Sequence, residues 1–372
     1  MTPPKVVVFG TAGYAAVHLR RVRAMHDSGE IVFAGACDVR EPSQDALDLL
    51  PSAAVFTQDA HELLGRASPD IAVVATPPHA HLPVALTAVK AGCHVLVEKP
   101  PVLDLASFEQ LSVAAQRAGV QVQVGFQSFG SMALHALRAA IDTNAIGMLT
   151  GVGTAGAWIR RDAYYKRNPW AGRRTLDGTP VVDGSLTNPF AHAIATAVLV
   201  AGKADVLPQE IEVELYHARQ IEADDTACAR LVFANGLQVV AAATLCAERE
   251  FEPYVVLHGT RGRARWWYRS NVLEINGEQV PTGTPIDLLR NLARHVEDKA
   301  PLVASLSQTR AFTAFVQAVR DHPGPRTVPA DWVTTMDEGP RRWYAVHQVD
   351  KFVAAGAESM ALFTEQGAPW AM

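Results

Sequence analysis

Five short runs of β-branched and small apolar residues punctuate the first third of the chain: Lys5–Phe9, Ile31–Cys37, Ile71–Ala75, His94–Glu98 and Val120–Gly125. Several are apolar nearly throughout, the pattern of strands buried on both faces of a parallel sheet. The segments between them carry helix-end signals. Pro42 and Ser43 open one, Gly92 closes the helix through Leu86 and Val89, and Gly119 closes the helix through Leu111 and Ala115. Residues 1–125 are therefore predicted to form a Rossmann-like, doubly wound α/β domain that binds its ligand beyond the carboxyl ends of the strands.

After Gly125 the pattern changes. A helix is expected from Ser131 to Ile141, then a strand over Leu149–Trp158, an irregular basic and aromatic stretch to Gly184, and a helix from about Pro189 to Val200. Alternation at Ile211, Val213 and Leu215 follows, with hairpin turns at Asn235-Gly236 and Asn276-Gly277, a dipeptide suited to positive φ. Residues 126–372 are predicted to form an α+β domain with a mostly antiparallel sheet and helices on one face. Two domains also fit the length of 372 residues, since single cores stop growing near 250–300.

Composition narrows the partners. The formal net charge of −5 argues against nucleic acid or an anionic membrane. No apolar run reaches the roughly 18 residues a bilayer requires. Met1-Thr2-Pro3-Pro4-Lys5 enters a strand almost at once, leaving no room for a signal peptide. Cys37, Cys93, Cys228 and Cys246 lie far apart, with neither a disulfide framework nor zinc-ligand spacing. A soluble, reduced, cytoplasmic protein without a metal is expected.

The first strand ends in Gly10-Thr11-Ala12-Gly13-Tyr14-Ala15-Ala16. Against G-x-G-x-x-G only Gly10 matches, while Gly13 shifts the pattern to G-x-x-G-x-x-A. That turn can still set backbone N–H groups and a helix N-terminus under a phosphate, or it can be a tight turn with no ligand. Asp38 ends the second strand, where a carboxylate accepts hydrogen bonds from a ribose diol and repels a 2′-phosphate. Arg40 offers the opposite preference, by pairing with that phosphate or stacking on adenine. NAD is favoured, with NADP as the alternative.

Glu98-Lys99-Pro100 lies on the same edge of the predicted sheet. Hydride leaves carbon only as the hydroxyl proton leaves oxygen, so the reaction needs a positioned acid/base with a pKa near working pH, and a desolvated ammonium moves that way. A glycine turn followed by a lysine at a later strand mouth points to a nicotinamide oxidoreductase. His79 and His81 sit at a loop-to-helix start and lack the partners a metal needs.

Ala75-Thr76-Pro77-Pro78-His79-Ala80-His81, a helix, and then Ala91-Gly92-Cys93-His94-Val95-Leu96-Val97-Glu98-Lys99-Pro100 closely resembles the Gfo/Idh/MocA family, which includes glucose–fructose oxidoreductase and inositol 2-dehydrogenase. The resemblance runs in order over nearly the whole chain and is most specific in the nucleotide domain. It implies that Lys99 lies beside nicotinamide and the substrate hydroxyl, and that the bond before Pro100 is cis. It assigns Gly10, Ala12, Gly13, Tyr14, Asp38, Arg40, Thr76, Pro77, His81, Glu98 and Lys99 to the cofactor side.

The family's D-x-x-x-H signature aligns with Asn188-Pro189-Phe190-Ala191-His192. The histidine is kept as a further acid/base, but asparagine stands where a carboxylate would orient it. Asn188 can still bind a hydroxyl, although it cannot stabilise an imidazolium as a carboxylate would. Asp183 is a candidate substitute. Lys99, His192 and Asn188 are thus the catalytic candidates, and Trp158, Arg160 and Trp170 join them as substrate contacts. Between Trp158 and Arg174 the residues Arg160, Arg161, Tyr164, Tyr165, Lys166, Arg167, Trp170 and Arg173 face a single acid, Asp162. That stretch suits a sugar, polyol or sugar acid, or else a solvated loop with an oligomer contact. The resemblance also implies a homodimer or homotetramer through an exposed sheet face. Two other readings stay open: a non-catalytic dinucleotide-binding sensor or regulator, and a redox-neutral glycosidase with tightly held NAD.

Overall fold

The computed structural model describes residues 2–337 and 339–372. The chain forms two compact units. The first is Met1–Gly130 with Ile286–Ser307, and the second is Ser131–Pro285 with Gln308–Met372. Among the described residues no helix is long and apolar enough to cross a membrane.

The first unit holds a parallel sheet of β1 (Lys5–Phe9), β2 (Val32–Cys37), β3 (Val55–Thr57), β4 (Ile71–Val74), β5 (His94–Val97) and β6 (Val122–Val124), in the order β3-β2-β1-β4-β5-β6. The apolar runs are central strands buried on both sides: Val6, Val7, Val8 and Ile71 to Val74 expose nothing. β3 is a three-residue edge strand, too short and too open to leave a pattern in the sequence. The crossovers are α1 (Ala15–Asp27), α2 (Gln44–Leu47), α3 (Ala60–Ala67), α4 (Pro78–Lys90) and α5 (Leu105–Ala118). Ser43, Asp59 and Asp104 cap α2, α3 and α5 with side-chain oxygens, and Gly119 closes α5 at φ 68°. The strand order reverses between β1 and β4, which is where such sheets bind ligands.

The first unit does not end at Gly125. Ile286–Ser307 returns to it because Gln123 on β6 donates to the Leu288 carbonyl at 2.6 Å and Val124 N–H donates to the Ala304 carbonyl at 2.8 Å. Two bonds from the Arg290 guanidinium to Glu30, at 2.6 and 2.9 Å, fasten the same segment.

The second unit begins with α6 (Ala133–Asp142), β7 (Leu149–Ile159), α7 (Asp162–Lys166), a small hairpin of β8 (Thr175–Leu176) and β9 (Thr179–Pro180), and α8 (Ala191–Val200). Its large sheet adds β10 (Glu210–His217), β11 (Thr226–Val232), β12 (Gln238–Thr244), β13 (Cys246–Gly259), β14 (Arg263–Trp267), β15 (Val272–Ile275), β16 (Glu278–Val280) and β17 (Arg326–Thr327). The order is β16-β15-β14-β13-β7-β12-β11-β10-β17, antiparallel except at β7–β12 and β10–β17. Both expected hairpins form, with Asn276 and Gly277 at φ 53° and 85°. At the other, Gly236 alone of the pair has positive φ, because its N–H closes a turn onto the Phe233 carbonyl. The helix α9 (Leu288–Asp298) belongs to the first unit, and α10 (Arg310–Asp321) to the second.

The expectation of helices on one face of this sheet is corrected. α8 is apolar around its whole circumference and packs on one face, where a Cβ on Gly156 would strike the Phe190 ring. After the small sheet of β18 (Val333–Met336) and β19 (Trp343–Val346), α11 (Val349–Ser359) covers the other face. There a Cβ on Gly153 would come within 2.1 Å of the Ala357 carbonyl oxygen. Side chains alternate along a strand, so Gly153 and Gly156 report opposite faces.

Candidate active site

In the first unit the candidates gather at the carboxyl ends of the strands. β1 ends in Gly10, whose N–H donates to the Cys37 carbonyl at 2.8 Å. Its φ is 102°, and a Cβ there would lie 2.7 Å from the Ala75 carbonyl oxygen, so only glycine lets the first turn pass beside β4. Gly13, at φ 62°, has nothing near its would-be Cβ, which leaves open space above the turn. Ala12 and Tyr14 are exposed, and α1 begins at Ala15 with no side-chain cap. Its first three N–H groups close onto the carbonyls of Ala12, Gly13 and Tyr14 at 3.2, 3.3 and 2.9 Å, so the room for an outside acceptor lies over the glycine turn itself.

Asp38 closes β2 and braces this turn. One carboxylate oxygen accepts from the N–H and the hydroxyl of Thr11, both at 2.8 Å, and the other accepts from Arg40 N–H at 3.1 Å. The exposed Arg40 guanidinium reaches only to 4.0 Å. Thr76 follows β4, and its hydroxyl oxygen is buried without a hydrogen-bond partner in the protein. An unpaired buried hydroxyl beside an open glycine turn suits a polyhydroxylated, phosphorylated ligand.

The peptide between Lys99 and Pro100 is cis. Glu98 is buried against His18 of α1 at 2.8 Å, and its other oxygen accepts from Lys99 N–H at 3.2 Å. Gly125 leaves room for that carboxylate, since a Cβ would approach it to 2.6 Å. Glu98 therefore supports the lysine segment from inside the fold. His81 is buried too, and its ring nitrogens lie 2.7 Å from the Pro100 carbonyl oxygen and 2.8 Å from that of Thr76. It ties the turn after β4, where Pro77 precedes α4, to the segment after β5. That geometry uses both ring nitrogens and leaves neither for a cofactor or a metal. Burial pushes its pKa down, while the two carbonyls, which can only accept, push it back up. Lys99 is half-buried at the mouth of β5.

In the second unit the Asn188 amide donates to Asp183 at 2.5 Å, and the other oxygen of Asp183 accepts from Gly172 N–H at 2.7 Å. A buried carboxylate thus stands directly behind the asparagine, four residues before the half-buried His192 on the first turn of α8. The loop carrying the pair is pinned by Asp224, which accepts from Ser185 N–H at 2.8 Å and from its hydroxyl at 2.6 Å. Burial pushes the Asp224 carboxyl up to about 6.

The basic aromatic stretch folds into a stack. The Trp158 ring lies 4.2 Å from Phe190, and the guanidinium carbon of Arg160 sits 4.5 Å from Trp158 and 5.2 Å from Tyr164. Arg167 approaches Tyr164 at 3.9 Å and Trp170 at 5.6 Å. Asp162 pairs with the buried Arg219, a partner the sequence reading missed. Arg174 turns away to cap the carbonyls of Val319 and Arg320 at the end of α10. Within this unit Trp158, Arg160, Glu250, Phe251, Glu252, Arg269 and Ser270 line a cleft of about 770 Å³. The buried Nε of Arg160 has no partner in the protein. Glu250, Glu252 and Arg269 reach the cleft only through the pairing of β13 with β7 and β14, which no local motif reports.

Comparison with known proteins agrees with this architecture. The profile of the Gfo/Idh/MocA oxidoreductase family, NAD-binding Rossmann fold, matches residues 4–126, and that of the family's C-terminal domain matches 134–265. D-glucoside 3-dehydrogenase of Escherichia coli is 26% identical over 54% of this chain and 55% of its own length. Inositol 2-dehydrogenase of Azotobacter vinelandii is 30% identical over 38% of this chain and 41% of its own. The chain thus spans about half the length, or less, of these two relatives. The WlbA dehydrogenase of Bordetella pertussis, solved with NADH and UDP-GlcNAcA, shares the fold at TM-score 0.68 and 20% identity, covering 86% of this chain and 97% of that one. With both halves matched in order, the chain belongs to the Gfo/Idh/MocA oxidoreductase family.

Proposed function

We propose that this protein is an NAD-dependent dehydrogenase or reductase that moves hydride between nicotinamide and a secondary hydroxyl or ketone of a sugar, polyol or sugar acid. The observation that carries the proposal is the meeting of Gly10, Asp38, Thr76 and Lys99 at one edge of the first sheet, beside its switch point. Bound there, the cofactor would supply or accept the hydride. The glycine turn at Gly13 would take its phosphates, Thr76 would offer its unpaired hydroxyl, and Asp38 would accept a ribose hydroxyl on the oxygen not used by Thr11. The carboxylate also favours NAD over NADP, with Arg40 as the residue that would serve the 2′-phosphate.

Lys99 would take the hydroxyl proton as the carbonyl forms, and return it in the reverse direction. In the second unit Asn188 would hold a substrate hydroxyl, with Asp183 fixing its amide, and His192 would act as the further acid/base. Asp183 supports catalysis over a purely regulatory role, because it supplies the carboxylate that the D-x-x-x-H pattern lacks. Relatives named for a glucoside and an inositol support a hydroxylated ring as substrate, as does a cleft that mixes arginine, glutamate and aromatic side chains.

The test is a fluorescence titration of nucleotide-stripped protein with NADH and NADPH, followed by a screen of glucosides, inositols and sugar acids with NAD. Tighter binding of NADH and saturable turnover with one of these classes are expected. Binding of neither nucleotide overturns the reading.

A further inference from the structure

A sheet whose two faces are both apolar has to cover both, and what covers the second face decides how copies of a chain can associate. One face of the large sheet is covered by α8. On the other, Val349, Val353 and Ala357 of α11 project at helical spacing onto Ala155, Val240, Ala242 and Val256, and all seven are buried. The chain then turns back over the sheet. Phe363 and Trp370 are buried, with the Trp370 ring 5.3 Å from Tyr216 and 4.9 Å from Phe363.

Polar contacts fix this register. Tyr216 hydroxyl donates to the Ala371 carbonyl at 3.2 Å, Tyr254 hydroxyl donates to Glu358 at 3.1 Å, and His258 Nε2 lies 2.9 Å from the Ala357 carbonyl oxygen. Arg230 pairs with Glu365 and Arg265 with Glu358. The sheet is shaped for the helix as well. Cβ atoms on Gly151 and Gly153 would collide with Met360 and with the Ala357 backbone. The outward side of the segment is a different surface: Lys351, Ala355, Ser359, Thr364 and Glu365 are exposed, a small and polar stripe made for water.

We propose that the outer face of the large sheet is closed within a single chain. The segment from Val349 to Ala371 stands where a second copy would otherwise pack, and copies of this protein do not pair through that face. The expected face-to-face homo-oligomer is thereby replaced by a cover in cis, and any assembly uses another surface.

The full chain carrying R265C and E358C, treated with a short bismaleimide, tests this. The native cysteines are all buried and stay out of the reaction. The expected product migrates as one chain, and protease mapping joins the two engineered positions within it. The same linkage in a band of twice the mass overturns the proposal, because the segment then lies on a partner's sheet. An absence of linkage overturns it too. Removal of residues 349–372 supplies a second reading by sedimentation velocity. A folded truncated chain is expected to self-associate with rising concentration, and one that stays as dispersed as the full chain contradicts the proposal. If the truncated chain does not fold, the cross-link decides.

Discussion

The two units hold their functional side chains in different ways. In the first, each candidate sits at the end of a strand, where backbone carbonyls and two carboxylates brace the turns: Gly10 donates to the Cys37 carbonyl, Thr11 to Asp38, Lys99 N–H to Glu98, and His81 lies between the carbonyls of Thr76 and Pro100. In the second, the supports are buried side chains distant in sequence, such as Asp224 beneath Ser185 and Arg219 beneath Asp162. A site at strand ends follows from strand order, whereas the placement of Asp183 behind Asn188 depends on the folding of a loop.

The sharpest test of that difference is Lys99→Met. At the mouth of β5 the lysine is proposed to contribute chemistry rather than architecture. Its loss should lower kcat by about a thousandfold, within the 10²–10⁴ range of acid–base catalysis, while NADH affinity stays within about threefold. Parallel loss of nucleotide binding would show that the side chain also holds up the cofactor site. Asp183→Asn probes the other unit. It keeps the volume but removes the charge and one of the two acceptor oxygens that serve Asn188 and Gly172, and kcat/KM should fall by about ten- to a hundredfold, roughly 1.4–2.7 kcal/mol. A change in the pH profile is expected with it, because the carboxylate that holds the Asn188 amide is gone. A loss of thermal stability with an unaltered pH profile would reduce Asp183 to a structural prop.

Asp224 extends the comparison to stability. An unfolded aspartate titrates near 3.9, and burial raises this one to about 6. Between those values the folded chain keeps a proton that the unfolded chain has lost. The stability due to this group is therefore full below about pH 4 and is lost as pH rises to about 6. Asp224→Asn accepts the same bonds from Ser185 without the titration. Urea unfolding of both proteins at pH 4.5 and 7.5 should show wild type losing about 2 kcal/mol relative to the variant across that interval. A difference that does not change with pH would mean that the carboxylate stays charged in the fold.

The same contrast explains what could be read from the sequence. Central strands announce themselves because burial on both faces demands unbroken apolar runs, and Lys99 and Asp38 could be placed at the carboxyl edge because each follows such a run. β3 was not, since an edge strand of three residues needs no such run. α11 did leave a trace in Val349, Val353 and Ala357 at i, i+4 and i+8, but that spacing says only that a face is buried, not what it is buried against. His81 was expected on the cofactor side through its motif. That its ring is spent on two carbonyls is a three-dimensional fact, and so is the arrival of Arg269 and Glu250 beside Trp158.

Asp38 carries the last and smallest effect, and it bears on both kinds of support, because one carboxylate braces the glycine turn and faces the expected ribose. Asp38→Asn keeps an oxygen for the N–H and hydroxyl of Thr11 and removes the charge together with the bond from Arg40 N–H, so NADH binding should weaken little. NADPH binding should improve by about tenfold as repulsion of the 2′-phosphate disappears and Arg40 is left unopposed. Asp38→Ala removes the brace as well. Charge-assisted bonds of this kind contribute about 1.5–3 kcal/mol, much of which is recovered if water reaches Thr11, so a loss of about tenfold in affinity for both nucleotides is expected. Paired titrations of the two variants separate the roles. If alanine behaves as asparagine does, the turn holds its shape without Asp38 and its hydrogen bonds to Thr11.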